Sequence, residues 1–117
     1  MTNYCILVTA KLIVQGLHHW PDATDDVYYL KDLHRHEFHI EVGKYVDGDN
    51  RSVEFIGLKN KTLELISATY SDAPNGVYNF GTLSCEQLAI FLIESLSLDW
   101  CSVKEDGENG AVVQVLP

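Results

Sequence analysis

The chain has 117 residues, 46% of them hydrophobic and 21% charged, and its 17 acidic against 8 basic side chains give a net charge of −9. These values predict one globular domain over residues 1–117. They argue against nucleic acid as a partner, because contacts to phosphates need Lys or Arg. Because no early apolar run is long enough for a bilayer, and because the three cysteines lack a CxxC spacing, we expect a soluble, cytoplasmic protein without membrane partners.

Two long strands are predicted in the first part of the chain. Residues 4–17 alternate between aliphatic and polar side chains and are rich in β-branched types, which predicts a strand. If this strand continues, His18 shares its apolar face and His19 points the other way. An aspartate-rich loop over residues 21–32 leads to a second predicted strand, residues 33–45.

The histidines of these strands are candidates for a metal site. His34 and His36 lie two residues apart on the apolar face of the second strand, so both imidazoles can offer nitrogens to one point in space. Zinc suits such a point, and His18 is the third candidate ligand. A hydrogen-bonded pair of core histidines is the alternative interpretation of the two strand residues. For His39, between two glutamates on the opposite face, we expect an exposed, salt-bridged side chain.

The second half of the chain predicts two helices and a hairpin. Residues 51–56 are expected to be extended, and a first helix follows over residues 57–70. A loop that contains Pro74 and Gly81 comes next, and a second helix begins at Ser84, where Gln87 three residues later makes a capping box.

Two final strands are predicted at residues 100–104 and 111–116, joined by the turn at residues 106–110. The predicted order is therefore ββααββ. This order favours an α+β fold in which two helices pack on one face of a four-stranded antiparallel sheet.

Five segments, in the right order, resemble the family of 6-pyruvoyltetrahydropterin and 6-carboxytetrahydropterin synthases. Residues 16–21 are similar to the segment that ends the family's first strand with a zinc-ligating histidine, and residues 34–38 are similar to its His-Gly-His-x-Tyr motif. Residues 54–59 and 84–89 resemble its Asp-Phe-x-x-Leu-Lys and Thr-x-Glu-Asn-Leu-Ala segments. Residues 103–105 resemble the strand whose glutamate anchors a pterin or purine-like ring.

The resemblance implies a tunnelling fold, a hexamer of two stacked trimers, and zinc held by His18, His34 and His36. It also implies a pterin- or guanine-like ligand held against Glu105, since a carboxylate can pair with an N–H and an exocyclic amine together. Glu86, in the first turn of the second helix, is the other candidate for ligand binding. Both glutamates have plainer interpretations, because Glu105 could be a solvated turn residue and Glu86 is favoured there by the helix dipole.

The chain departs from the family at its catalytic groups. Residues 28–33 contain no counterpart of the catalytic cysteine, and residues 70–80 contain Asp72 but no histidine for the Asp-His pair. Proton abstraction beside a zinc-bound carbonyl needs a thiolate or a neutral imidazole. Asp25 and Asp26 lie on the predicted loop near the site, although acids in loops are usually solvated.

Three hypotheses therefore remain at this point. The first is a zinc-dependent lyase acting on a dihydroneopterin triphosphate-derived substrate. The second is a non-catalytic protein that sequesters or senses a nucleotide-derived molecule in the same pocket. The third is a domain stabilised by zinc that has no small-molecule site.

Overall fold

The computed structural model describes residues 1–71 and 75–117, and a five-stranded mixed sheet lies at its centre. The strands, whose spatial order is β3-β1-β2-β4-β5, are β1 (Ile6–His18), β2 (His34–Val46), β3 (Tyr78–Gly81), β4 (Trp100–Glu105) and β5 (Asn109–Gln114). The β1–β2 and β4–β5 pairs are antiparallel, as predicted. β2 also pairs antiparallel with β4, which joins the two halves of the chain in one sheet.

The predicted four-stranded antiparallel sheet with ββααββ order is wrong, because β3 adds a fifth strand and pairs parallel with β1. Residue Tyr78 lies opposite Gly16 in this pairing. β3 has only four residues, too few for a readable alternation, and it lies in the stretch predicted as a loop. The chain passes from β2 through α1 to β3, on the opposite side of β1 from β2. Of that predicted loop, Asp72 and Pro74 lie outside the described residues.

Two α-helices, α1 (Phe55–Tyr70) and α2 (Cys85–Leu96), pack on one face of the sheet, as expected. α1 begins inside the stretch predicted to be extended, because the Glu54 side chain accepts a hydrogen bond from the Gly57 backbone N–H and caps the helix. α2 has the predicted capping box, with the Ser84 and Gln87 side chains each bonded to the other's backbone N–H. The fully buried core side chains include Phe38, Ile40, Val42, Ile66, Leu88, Leu92, Cys101 and Val103.

The loop between β1 and β2 folds back over the end of the sheet. Asp25–Lys31 forms 3₁₀ turns where the sequence predicted an irregular loop. The Trp20 N–H donates to the Leu30 carbonyl at 2.7 Å, which closes this loop beside His18 and His34. Among the described residues, no helix is both long and apolar enough to cross a membrane.

The sheet face opposite the helices, here called the open face, carries polar and apolar side chains together. It presents Lys11 and Ile13 of β1, Tyr45 of β2 and Val112 of β5. Ile13, Tyr45 and Val112 are exposed, so this face keeps apolar area in contact with solvent in the single chain.

Candidate metal and ligand site

Three histidines meet where β1 and β2 end together. His18 lies directly opposite His34 in the antiparallel register, and His36 lies opposite Gly16. One nitrogen from each ring can be chosen so that no two are more than 4.8 Å apart. The sequence predicted this convergence, because a period of two keeps His18, His34 and His36 on the helix-covered face. Their role as metal ligands stays a prediction.

The Nδ1 atom of each ring is held by an acceptor. His18 Nδ1 lies 3.0 Å from the Leu83 carbonyl oxygen, and His34 Nδ1 lies 2.8 Å from the Asp32 carbonyl oxygen. His36 Nδ1 lies 2.8 Å from Asp106 Oδ2. Carbonyl and carboxylate oxygens only accept, so Nδ1 is the protonated nitrogen in all three rings and, in the neutral imidazole, Nε2 keeps its lone pair.

The Nε2 atoms provide the test of whether a metal fits. In the described part of the chain, Nε2 of His18 and of His36 is buried without a hydrogen-bond partner. Buried polar nitrogens normally have a partner, and an orphaned lone pair on two adjacent rings is what a bound cation would satisfy. The donor set therefore fits a borderline-soft divalent ion such as zinc.

The Glu105 carboxylate lies against the same nitrogens. Its Oε1 is 3.0 Å from His18 Nε2 and its Oε2 is 3.5 Å from His36 Nε2, although neither contact is aligned as a hydrogen bond. Burial lowers the pKa of His18, but Glu105 and the Leu83 carbonyl outweigh it, so the pKa lies above its ordinary value. The pKa of Glu105 is lowered by His18 foremost, against the effect of burial, and by the charges of the neighbouring rings.

A cavity of about 510 Å³ opens beside the three histidines. It is bounded by the end of β1, the loop after it, the start of α2, the end of β4 and the start of β5. The predicted metal ligands His18 and His34 line this cavity, and so do both predicted ligand-binding residues, Glu105 and Glu86. This volume is within the range of small-molecule sites.

Two further residues of the cavity were not predicted from the sequence. His19 was expected to point away, but β1 ends at His18 with a register shift at Leu17/His18, so alternation stops and His19 lines the cavity. Its Nδ1 is buried and has no partner among the described residues. Cys85, the first residue of α2, also lines the cavity, and only its place after the N-cap hinted at this.

The surroundings of Cys85 disfavour ionisation of its thiol. Burial first, and then the nearby Glu105 and Glu86 carboxylates, raise the pKa of its thiol to about 12. The thiol contacts Glu105, with its Sγ 3.8 Å from Oε1. The surroundings of Cys85 thus favour the protonated thiol over the thiolate that residues 28–33 lack.

The remaining candidates lie away from the cavity. His39 forms the expected ion pair, with Nε2 2.8 Å from Glu37 Oε1, but the turn at Gly107 covers the ring, so its side chain is only 17% exposed. Asp25 and Asp26 are exposed, which agrees with the plainer interpretation of the loop acids.

Comparisons with known proteins identify the architecture. No protein-family model matches the chain, and no curated protein does. Among solved structures, the chain is similar to that of Caenorhabditis elegans 6-pyruvoyl tetrahydropterin synthase, with a TM-score of 0.65 over 97% of each chain. The chain has the fold of that synthase. The resemblance seen in the sequence is thus confirmed for the fold, while the 14% identity leaves the activity to be argued from the site.

Proposed function

We propose that this protein binds one zinc ion through His18, His34 and His36 and holds a pterin- or purine-like heterocycle in the adjoining cavity. The observation that carries the proposal is the shared orientation of the rings, each with Nδ1 bonded to an oxygen acceptor. Partners of this kind fix the tautomer in known metal sites. A zinc ion bound there would polarise an oxygen of the ligand.

The carboxylates in the cavity support a heterocyclic ligand with adjacent N–H donors. Glu105 has a lowered pKa, so it is ionised near neutral pH and can only accept hydrogen bonds. A pterin or guanine edge offers a ring N–H and an exocyclic amine side by side, which match the two oxygens of one carboxylate. Glu86 is exposed at the start of α2 and supplies a second acceptor at the cavity wall.

A binding protein without turnover is our first choice of class, since the family's cysteine and Asp-His pair have no counterparts in the sequence. Such a protein would sequester or sense its ligand. The second candidate is a lyase of the pterin synthase type, and one observation favours it: the His19 imidazole lines the cavity. Intact ligand recovered after long incubation supports the binder, and a rearranged product supports the lyase.

We also propose that the protein assembles into a homo-oligomer, a hexamer by resemblance. The exposed apolar side chains of the open face, Ile13, Tyr45 and Val112, support the proposal, because a second copy would remove them from water. Light scattering coupled to size exclusion tests it, and a monomer at every concentration contradicts it. We place the assembly in the cytoplasm, where Cys5, Cys85 and Cys101 would remain unpaired thiols, as they are here.

Metal content per chain is the first experiment. Protein purified without added metal or chelator is compared with the His34→Ala/His36→Ala variant, and His39→Ala is the matched control on the opposite face of the same strand. We expect about one zinc per chain in the wild type and the control, and none in the double variant. Wild-type protein without metal, even after incubation with zinc, contradicts the proposed function.

A further inference from the structure

We infer that Glu105 is itself a ligand of the metal. When the cavity holds no heterocycle, the ion is then bound by three imidazoles and one carboxylate. This inference rests on the proposed zinc site and adds a fourth protein ligand to it. The resemblance gave Glu105 only the task of anchoring a heterocycle.

The contacts of the carboxylate carry the argument. Two ligands of one tetrahedral zinc, each about 2.0–2.1 Å from the ion, are about 3.3 Å apart. Glu105 Oε1 lies 3.0 Å from His18 Nε2, and Glu105 Oε2 lies 3.5 Å from His36 Nε2, so each oxygen is close to that separation from one of the two nitrogens. Neither nitrogen has a hydrogen-bond partner among the described residues, and in the neutral rings each contact sets a nitrogen lone pair against an acceptor oxygen, which a shared cation would bridge.

The backbone around Glu105 holds the carboxylate at this place. Glu105 is the last residue of β4 and lies opposite Phe38, so its side chain emerges on the helix-covered face beside His36. The Asp106 N–H donates to the Glu37 carbonyl at 2.7 Å, and the Glu108 N–H donates to the Glu105 carbonyl at 3.0 Å. Both bonds are made by the peptide group that joins Glu105 to Asp106, so they hold the backbone from which the carboxylate extends.

Coordination by Glu105 changes what the site can do. A zinc with three protein ligands keeps a position for water or substrate, whereas four protein ligands close it. An incoming heterocycle that pairs with Glu105 then has to draw the carboxylate away from the ion, and this opens the position for the ligand. Metal coordination and heterocycle binding therefore compete for the same two oxygens.

Zinc affinity, measured at neutral pH by competition with a chromophoric chelator, tests the inference in solution. We expect Glu105→Gln to weaken affinity by more than about 100-fold, because losing a ligand costs more than losing a partner behind a ligand, which costs about 10–100-fold. Glu94→Gln removes an equal charge from an exposed position of α2 that does not line the cavity, and we expect it to bind zinc as the wild type does. Glu105→Asp keeps the charge but shortens the side chain, so a ligand role predicts that its affinity stays low.

A structure of the zinc-loaded wild type makes the test independent of any variant's folding. A Glu105 oxygen about 2.0–2.2 Å from the ion confirms the inference. Water in that position, with neither Glu105 oxygen within coordination distance of the ion, overturns it, as does unchanged affinity in Glu105→Gln. Either of these results leaves the three-histidine zinc site standing, whereas wild-type protein that binds no zinc contradicts the proposed function itself.

Discussion

Asp106 lies behind His36 and holds it with one oxygen, Oδ2, 2.8 Å from Nδ1, while its other oxygen accepts the Glu37 backbone N–H at 3.0 Å. The carboxylate thus ties the ring to the strand that carries it. The Glu37 N–H foremost, and then His36, hold the pKa of Asp106 below its ordinary value, so it is ionised at neutral pH. This is the carboxylate–histidine arrangement that orients metal ligands.

Replacing Asp106 with Asn therefore weakens metal binding without removing a ligand. The amide has one acceptor oxygen where the carboxylate uses two, so either the His36 Nδ1–H or the Glu37 N–H loses its acceptor. The charge that favours the fixed tautomer is lost as well, and we expect zinc affinity to fall about 10-fold. Glu108→Gln removes a charge from the same exposed turn and is the control, with affinity unchanged. Equal affinity in Asp106→Asn and the wild type would show that His36 needs no carboxylate behind it.

Gly16→Ala tests how closely the sheet packs under the histidines. A Cβ at this position would lie 2.7 Å from Cδ2 of Phe38 and would also meet the Phe80 ring. We expect the free energy of unfolding to fall by about 1–3 kcal/mol, as in other overpacked cores. The measurement is urea denaturation of the metal-free protein.

Gly57→Ala is the matched glycine for that experiment. It lies in the first turn of α1, where the nearest atom to an added Cβ is a side-chain oxygen of Glu54 at 3.3 Å. Alanine is the better helix former, so we expect the unfolding free energy to stay equal or to rise by up to about 1 kcal/mol. A Gly16→Ala protein as stable as Gly57→Ala would contradict the packing argument.

Ser84→Ala tests the cap that positions the cavity wall. The Ser84 hydroxyl oxygen accepts a hydrogen bond from the Gln87 backbone N–H at 3.1 Å. In Ser84→Ala that N–H has no side-chain acceptor. We expect a loss of about 1 kcal/mol in the free energy of unfolding. Ser95→Ala, at an exposed position within the same helix, should change stability little. Equal thermal midpoints for the two variants would argue against the capping box as a source of stability.

Cysteine alkylation tests the state of the thiols. Cys5 is exposed, whereas burial raises the pKa of Cys101 to about 12, and Cys85 has a pKa of about 12 as well. The thiolate is the reactive form, and at pH 8 a thiol with that pKa is ionised in only about one molecule in ten thousand. With iodoacetamide at pH 8, mass spectrometry should therefore find modification at Cys5 alone.

Guanidinium supplies the control for the alkylation experiment, because all three thiols should react once the chain is unfolded. Rapid reaction of Cys85 in the native protein would contradict its assignment as a protonated, unreactive thiol. It would also restore a nucleophile to the cavity and so favour the lyase hypothesis over the binder.

The sequence by itself determined the features that depend on local periodicity. Alternation along two strands put His18, His34 and His36 on one face, because successive side chains in a strand point to opposite sides. The capping box at Ser84 was readable because its partners lie three residues apart. Glu105 and Glu86 were named through the resemblance, and both line the cavity.

The tertiary structure alone decided the features that depend on distant pairing. β3 has only four residues and is a strand because it pairs with β1, from which β2 and α1 separate it in the sequence. His19 enters the cavity because β1 ends one residue earlier, where the alternation rule ceases to apply. The contact of Glu105 with His18 depends on the register between β2 and β4, since a shift of one residue would turn the carboxylate to the open face.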